Sequence, residues 1–267
     1  MKTVFITTDS FGGKFIANIL KRNGFLDALI IEKEGGKTRE KLKRDLKKAP
    51  LWKLPVKIID FFSVFIYSGI CSCYLHRHLL LKNNFASYPQ NIPLHIVENA
   101  SDANCVSLLK SLNPDILVVL GTSILKPEVI SIPKKFILNI HGGIVPQYRN
   151  VHSNFWAFIN RDYDNIGTSI IHLNSGIDTG DVALQSCIEI NRTDNLLTIK
   201  NKNINLAGNL IIEALNLASC GLLKRSPQNH AEKGVYRTPG FLDFLSLTVR
   251  TIVGIREKMI AEKSGLL

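Results

Sequence analysis

At 267 residues with 45% hydrophobic composition, the chain is long enough to bury a full core, as one large domain or one domain with a small appendage, which argues against disorder. Lysine and arginine outnumber acidic residues by 33 to 22, a net charge of +11, which favours an anionic partner such as a phosphorylated substrate, a nucleic acid or a lipid headgroup without choosing among them. The five cysteines, Cys71, Cys73, Cys105, Cys187 and Cys220, are odd in number and scattered, which argues against a zinc site or a disulfide framework and fits a reducing cytoplasm.

The N-terminus carries one lysine, then a strand-like apolar run without a small-residue cleavage pattern, so it does not read as a signal peptide. Lys2 to Thr8 is a β-branched run followed by Asp9, Ser10 and the Gly12-Gly13 pair, then by Phe15, Ile16, Ile19 and Leu20 at helical spacing, which predicts strand, turn and helix. Further strands are predicted at Leu26 to Ile31, Leu94 to Val97, Ile116 to Leu120 and Phe136 to Ile140, with helical stretches between most of them. Such alternation implies an α/β fold with a mostly parallel central sheet and right-handed crossovers. Thr168 to Leu173 and Val182 to Ile190 are two more extended runs around the turn Asn174 to Asp181, and Asn195 to Leu223 reads as a long helix. Residues 224 to 240 are turn-rich, and 241 to 263 read as a terminal amphipathic helix packed on its own protein. The expected division is a catalytic domain over 1–223 and a tail over 224–267.

A helical insert is expected at about 33–81. Between Lys33 and Lys57 ten basic residues face three acidic ones, so +7 of the chain's +11 sits in one stretch. Phe61 to Leu75 follows, almost wholly apolar but short of the roughly 20 residues of a membrane span. A crossing there would also leave the first two strands on the wrong side of the bilayer. The stretch is either an in-plane element at a membrane surface or a plain core or homodimer contact.

Phe136 to Gln185 holds the chemistry. A strand ending in Asn139-Ile140-His141 sends both polar side chains to one face at the carboxyl end of the sheet, where open α/β folds bind ligands. Asp178, in the turn Gly176-Ile177-Asp178-Thr179-Gly180, could return a carboxylate to the same mouth. An amide, an imidazole and a carboxylate that converge suit acyl transfer to an amine: donors stabilise the oxyanion, and a base takes the amine proton. No nucleophilic serine or cysteine is required.

At these residues the sequence resembles the formyltransferase family, whose members include methionyl-tRNA, glycinamide ribonucleotide and sugar-amine formyltransferases. The resemblance rests on Asn139-x-His141, Val145-Pro146, Tyr148-Arg149, Phe155-Trp156-Ala157 and Ser175 to Asp181, and extends through Asn113-Pro114-Asp115 and Gly121 to Leu125. It implies a Rossmann-like fold and a catalytic set of Asn139, His141 and Asp178. It also implies a pocket for the pterin of 10-formyltetrahydrofolate, the formyl donor, lined by Gly121, Thr122, Ser123, Ile124 and Leu125 and by Ser175, Gly176, Ile177, Thr179 and Gly180, with no metal. This chain departs from the family in having Gly142-Gly143 after the histidine, Asn150 after the arginine and Ser153 where proline is common.

Candidate acceptor-binding residues are Gly12, Gly13, Tyr148, Arg149 and His152. Gly12-Gly13 would approach a phosphate at a helix N-terminus, although the full dinucleotide fingerprint is missing. Arg149 either grips an acceptor phosphate or caps a loop; His152 and Asn154 either touch substrate or shape their loop; Trp156 is expected in the core. His76-Arg77-His78 lacks the carboxylate or cysteine company of a metal site and reads as a solvated helix end. The expected acceptor is a primary amine on an anionic small molecule or lipid-linked carrier, foremost an amino sugar of cell-envelope polysaccharide synthesis. Methionyl-tRNA is the alternative, against which the short tail after residue 223 counts, and a non-catalytic binding relative is the third. The expected location is cytoplasmic, free or peripheral at the inner face of the membrane.

Overall fold

The computed structural model describes residues 1–33, 54–229 and 234–246. A seven-stranded sheet forms from β1 (Thr3–Thr8), β2 (Ala28–Glu32), β3 (Leu94–Val97), β4 (Ile116–Leu120), β5 (Phe136–His141), β7 (Gly167–His172) and β8 (Val182–Cys187), in the order β3-β2-β1-β4-β5-β7-β8. The first five strands pair in parallel, and β5-β7 and β7-β8 pair antiparallel, so the expected mostly parallel α/β architecture is present. A two-residue strand, β6 (Arg149–Asn150), pairs in parallel with β9 (Val235–Tyr236) and brings the chain after residue 223 back over the loop beyond β5.

Apolar side chains leave both faces of the sheet. On one face Phe5, Ile116, Val118, Leu138 and Ile140 pack with α1 (Phe11–Arg22) and the long helix α6 (Leu196–Ser219). On the other, Val4, Ile6, Leu117, Val119 and Ile137 pack with Cys105 and Leu109 of α3 (Ala103–Leu112) and Val129 of α4 (Pro127–Ile130). This alternation along β1, β4 and β5 is the period-2 signature of strands buried on both sides. It fixes the aim of the end of β5: Asn139 and His141 share the face of Ile137. The sheet's topological switch lies between β1 and β4, beside that end.

Helix starts follow capping chemistry. Ser10 caps α1 by accepting from Gly13 N–H, Asp102 caps α3 by accepting from Cys105 N–H, and Asn195 opens α6 in a capping box with Thr198.

Several boundaries differ from expectation; the long helix α6, expected to reach Leu223, ends at Ser219. β2 starts at Ala28, with Leu26 left in the preceding turn. β8 stops at Cys187, not Ile190, because its partner β7 runs out at Gly167, which pairs with Cys187. The insert is longer in helix than its apolar core implied. Helix α2 runs Leu54–Leu75 and continues as a π-helical turn, His76–Leu81, that packs on α1. Val56, Ile58 and Ile59 extend the apolar run, so Pro55–Leu81 is long and apolar enough to cross a membrane by length and composition, and the expectation that the stretch falls short is corrected. Residues 241–246 are helical; the rest of the predicted terminal helix, and 34–53 of the insert, lie outside the described residues.

Candidate active site

The carboxyl ends of β4, β5 and β7 surround a cavity of about 340 Å³. Its walls include Val119, Leu120 and Leu125 on one side, Asn139 to Gly142 at the back, and Ile171, Leu173 and the turn from Asn174 to Gly180 opposite. The size and the mainly apolar lining with a few convergent polar groups match a small-molecule site.

Asp178 draws the polar groups together. It sits at φ +49°, in the left-handed region that non-glycine residues seldom occupy. One carboxylate oxygen, Oδ1, accepts from Asn139 Nδ2 at 3.2 Å; the other, Oδ2, accepts from Asn150 N–H at 2.9 Å and lies 3.4 Å from His141 Nδ1. The imidazole is buried, and its Nε2 donates to the carbonyl of Tyr148 at 2.8 Å, with Ser153 Oγ at 3.3 Å. Both ring nitrogens therefore face oxygen acceptors.

Two glycines make this packing feasible. A Cβ on Gly143 would overlap the Ser153 Cβ and crowd His141 Nε2, so the close approach of these segments needs glycine there. A Cβ on Gly180 would overlap the carbonyl of His172, so the turn that carries Asp178 can fold back on β7 only with glycine there. Inside that turn Asn174 Oδ1 accepts from Gly176 N–H and Thr179 Oγ1. From the far end of the chain, Gln228 Nε2 donates to the carbonyls of Asp178 and Gly180, at 3.0 and 2.6 Å.

Of the residues expected around the pterin, Gly121 to Leu125, Gly176, Ile177, Thr179 and Gly180 line the cavity, and Ser175 stands exposed outside it. The acceptor candidates are not on its lining. Gly12 is half-buried beside Leu120, and Gly13 is buried with its N–H engaged by Ser10. Tyr148 is buried, its hydroxyl donating to Asp162 at 2.9 Å and its ring stacked on Tyr236; burial pushes its phenol up from the usual range. Arg149 is only 8% exposed, its Nε lacking a hydrogen-bond partner among the described residues, and its N–H donates to Gly234 O. His152 caps α5 (Ser153–Ile159) from a left-handed conformation and is exposed, while Trp156, half-buried, donates through Nε1 to Arg237 O.

Glu32 is the residue the sequence reading passed over. It is 4% exposed, and Oε1 accepts from Asn99 Nδ2, Ala100 N–H and Ser123 Oγ, while Oε2 accepts from Ser123 N–H at 2.7 Å. A carboxylate ending the otherwise apolar β2 thus moors the 121–125 loop. The available signal was that single acid closing the run Ala28-Leu29-Ile30-Ile31. Among the described residues no cluster of histidine, cysteine or acid could hold a metal.

The family model described as "Formyl transferase" matches residues 81–215. A methionyl-tRNA formyltransferase of Pelotomaculum thermopropionicum is 31% identical over 144 residues, 54% of this chain and 46% of that protein. One from Methylacidiphilum infernorum is 36% identical over 135 residues, 50% of this chain and 42% of that protein. The chain thus spans about half the length of the curated relatives it matches. Two solved structures share the fold: a sugar N-formyltransferase from a Shewanella species (TM-score 0.55, 15% identity, 92% of this chain and 87% of that one) and the phosphoribosylglycinamide formyltransferase of Streptococcus pneumoniae (TM-score 0.54, 16% identity, 82% and 99%). With the matched segment holding Asn139, His141 and Asp178, the chain belongs to the formyl transferase family.

Proposed function

We propose that this site transfers a formyl group from 10-formyltetrahydrofolate to a primary amine. The observation that carries the reading is Asp178, whose carboxylate touches the Asn139 amide and faces the His141 imidazole at one wall of the cavity. The lining of the cavity supports a place there for the pterin of the donor. Apolar walls from Val119, Leu125 and Ile171 suit a flat heterocycle, and the 121–125 loop and 174–180 turn offer polar backbone to its edges.

In the reaction the amine nitrogen bonds to the formyl carbon, the carbonyl electrons move to its oxygen, and the bond to the donor nitrogen then breaks as that nitrogen takes up a proton. Asn139 stabilises the oxyanion in a water-poor cleft through the Nδ2 hydrogen that Asp178 does not take, while His141, its ring nitrogens engaged by Asp178 and the Tyr148 carbonyl, orients the carboxylate. Asp178 receives the proton the amine loses, directly or through a water. These roles need the three side chains to move little, since they already meet.

For the acceptor we favour an amino sugar on an anionic carrier. The net charge of +11 and the basic, apolar insert support an anionic or lipid-linked amine. Methionyl-tRNA is the second reading, favoured by identity of 31 to 36% to methionyl-tRNA formyltransferases and by the same charge.

The test is turnover of purified protein with 10-formyltetrahydrofolate and a panel of nucleotide-linked amino sugars, against methionyl-tRNA, for wild type and for Asn139→Ala, His141→Ala and Asp178→Ala. Sugar-dependent turnover lost in all three variants supports the reading. Turnover that all three leave unchanged removes the mechanism, and turnover only with tRNA replaces the acceptor.

A further inference from the structure

The outer surface of α2 is inverted relative to a water-facing helix. Ile58, Ile59, Phe61, Phe62, Phe65, Ile66 and Ile70 are exposed, Phe65 to 66%, whereas the polar Asp60, Ser63 and Tyr67 lie on the half-buried side. Burial begins only at Cys71, Leu75, Leu79 and Leu80, which root the helix in the core against α1. The 241–246 helix extends the patch. Asp60 Oδ1 accepts from Phe241 N–H at 2.7 Å, Tyr67 and Phe244 rings lie 5.0 Å apart, and Phe241, Leu242 and Leu245 are exposed beside them. So large a contiguous apolar surface marks a binding face.

We propose that this face docks on an anionic lipid bilayer, with α2 lying in the headgroup plane. Charge selects the occupant. The chain enters α2 from the 33–53 stretch of net +6, and exposed His76, Arg77, His78 and Lys82 stand at its other end. Apolar side chains bracketed by basic ones complement an anionic membrane surface. A second copy docked on the same face would instead bring two such stretches together, at a repulsive cost. Spanning is excluded by topology. Leu29 of β2 pairs with Leu94 of β3, so the chain leaves for α2 and returns to the neighbouring strand of one sheet. Nine basic residues between Lys33 and Lys53 argue against a compensating second crossing. The 241–246 helix also packs on α5, where Phe244 contacts the Phe155 ring, 5.1 Å away.

The experiment is flotation of the full chain with phosphatidylcholine vesicles, with and without phosphatidylglycerol, for wild type and a Phe62→Ser/Phe65→Ser/Ile66→Ser variant. Circular dichroism establishes that the variant is folded, and a single Phe65→Ser substitution is the second variant should the triple one misfold. Wild type is expected to float with the anionic vesicles alone, and the triple variant to lose at least ~10-fold of that partition, since each side chain removes apolar area from the lipid contact. Failure of wild type to float with either vesicle overturns the proposal. Equal flotation of wild type and variant overturns the assigned face. A dimer by sedimentation that the triple variant dissolves, without flotation, hands the face to a second copy.

Discussion

Asn150 N–H donates to Asp178 Oδ2 at 2.9 Å, across 28 residues of chain, and both residues hold left-handed backbone conformations, φ +74° and +49°. The acid that faces His141 is therefore held from two sides, by the Asn139 amide and by the loop after β5. Such strain persists where the surrounding structure over-determines it.

Replacing Asp178 with Asn keeps the shape but presents an amide where Asn150 N–H and His141 Nδ1 need an acceptor. Formyl transfer should fall by roughly 10²- to 10⁴-fold in kcat/KM, as loss of a general base and of the charge beside the imidazole implies. Steady-state kinetics with 10-formyltetrahydrofolate checks this; a loss under tenfold with the fold intact would clear Asp178 of the role.

Glu32→Ala removes the acceptor of four hydrogen bonds and leaves buried donors of Ala100 and Ser123 unmatched. Stability should drop by about 3 kcal/mol, the size of one or two buried groups left unsatisfied. The KM for the formyl donor should rise more than kcat falls, because the 121–125 loop loses its mooring. Urea unfolding and donor titration together test this, and a kcat loss with unchanged KM would contradict it.

Gly143→Ala should destabilise by about 1–3 kcal/mol, since the new methyl meets the Ser153 side chain in a packed interior. Adding Ser153→Gly should recover part of the loss. A double-mutant cycle by thermal melting measures the coupling, and strictly additive effects would refute the clash.

His172 is buried, its Nε2 donating to Lys224 O at 3.1 Å, and burial, with Arg225 nearby, lowers its pKa below the usual histidine value despite Asp181. The unfolded chain then binds the proton more readily than the native one, so this group's contribution is complete above about pH 6.5 and is lost as pH falls toward the depressed native value. Wild type should lose urea resistance between neutral and mildly acidic pH, and His172→Gln should flatten that loss. Parallel pH profiles of the two proteins would exclude His172 as the cause.

How much could be read in advance depended on how local the cause was. β3 and β4 have the predicted bounds because Pro93, Pro114-Asp115 and Gly121 punctuate short apolar runs. Asn139, His141 and Asp178 were legible from strand alternation plus a glycine-bounded turn, and their side chains stand within 3.4 Å of the shared carboxylate. Glu32 was not, because its meaning lies in Asn99 and Ser123, 67 and 91 residues away. The end of β8 depends on where its partner strand stops, and the inward-facing polar side of α2 on the helix at 241–246. Both are tertiary facts that no window of neighbouring residues contains.

Gln228 closes the turn of Asp178 with one side-chain amide shared between two carbonyls. Part of the frame around the acid is thus supplied from beyond the last long helix. The segment beyond α6 is thereby part of the framework that positions the Asp178 turn.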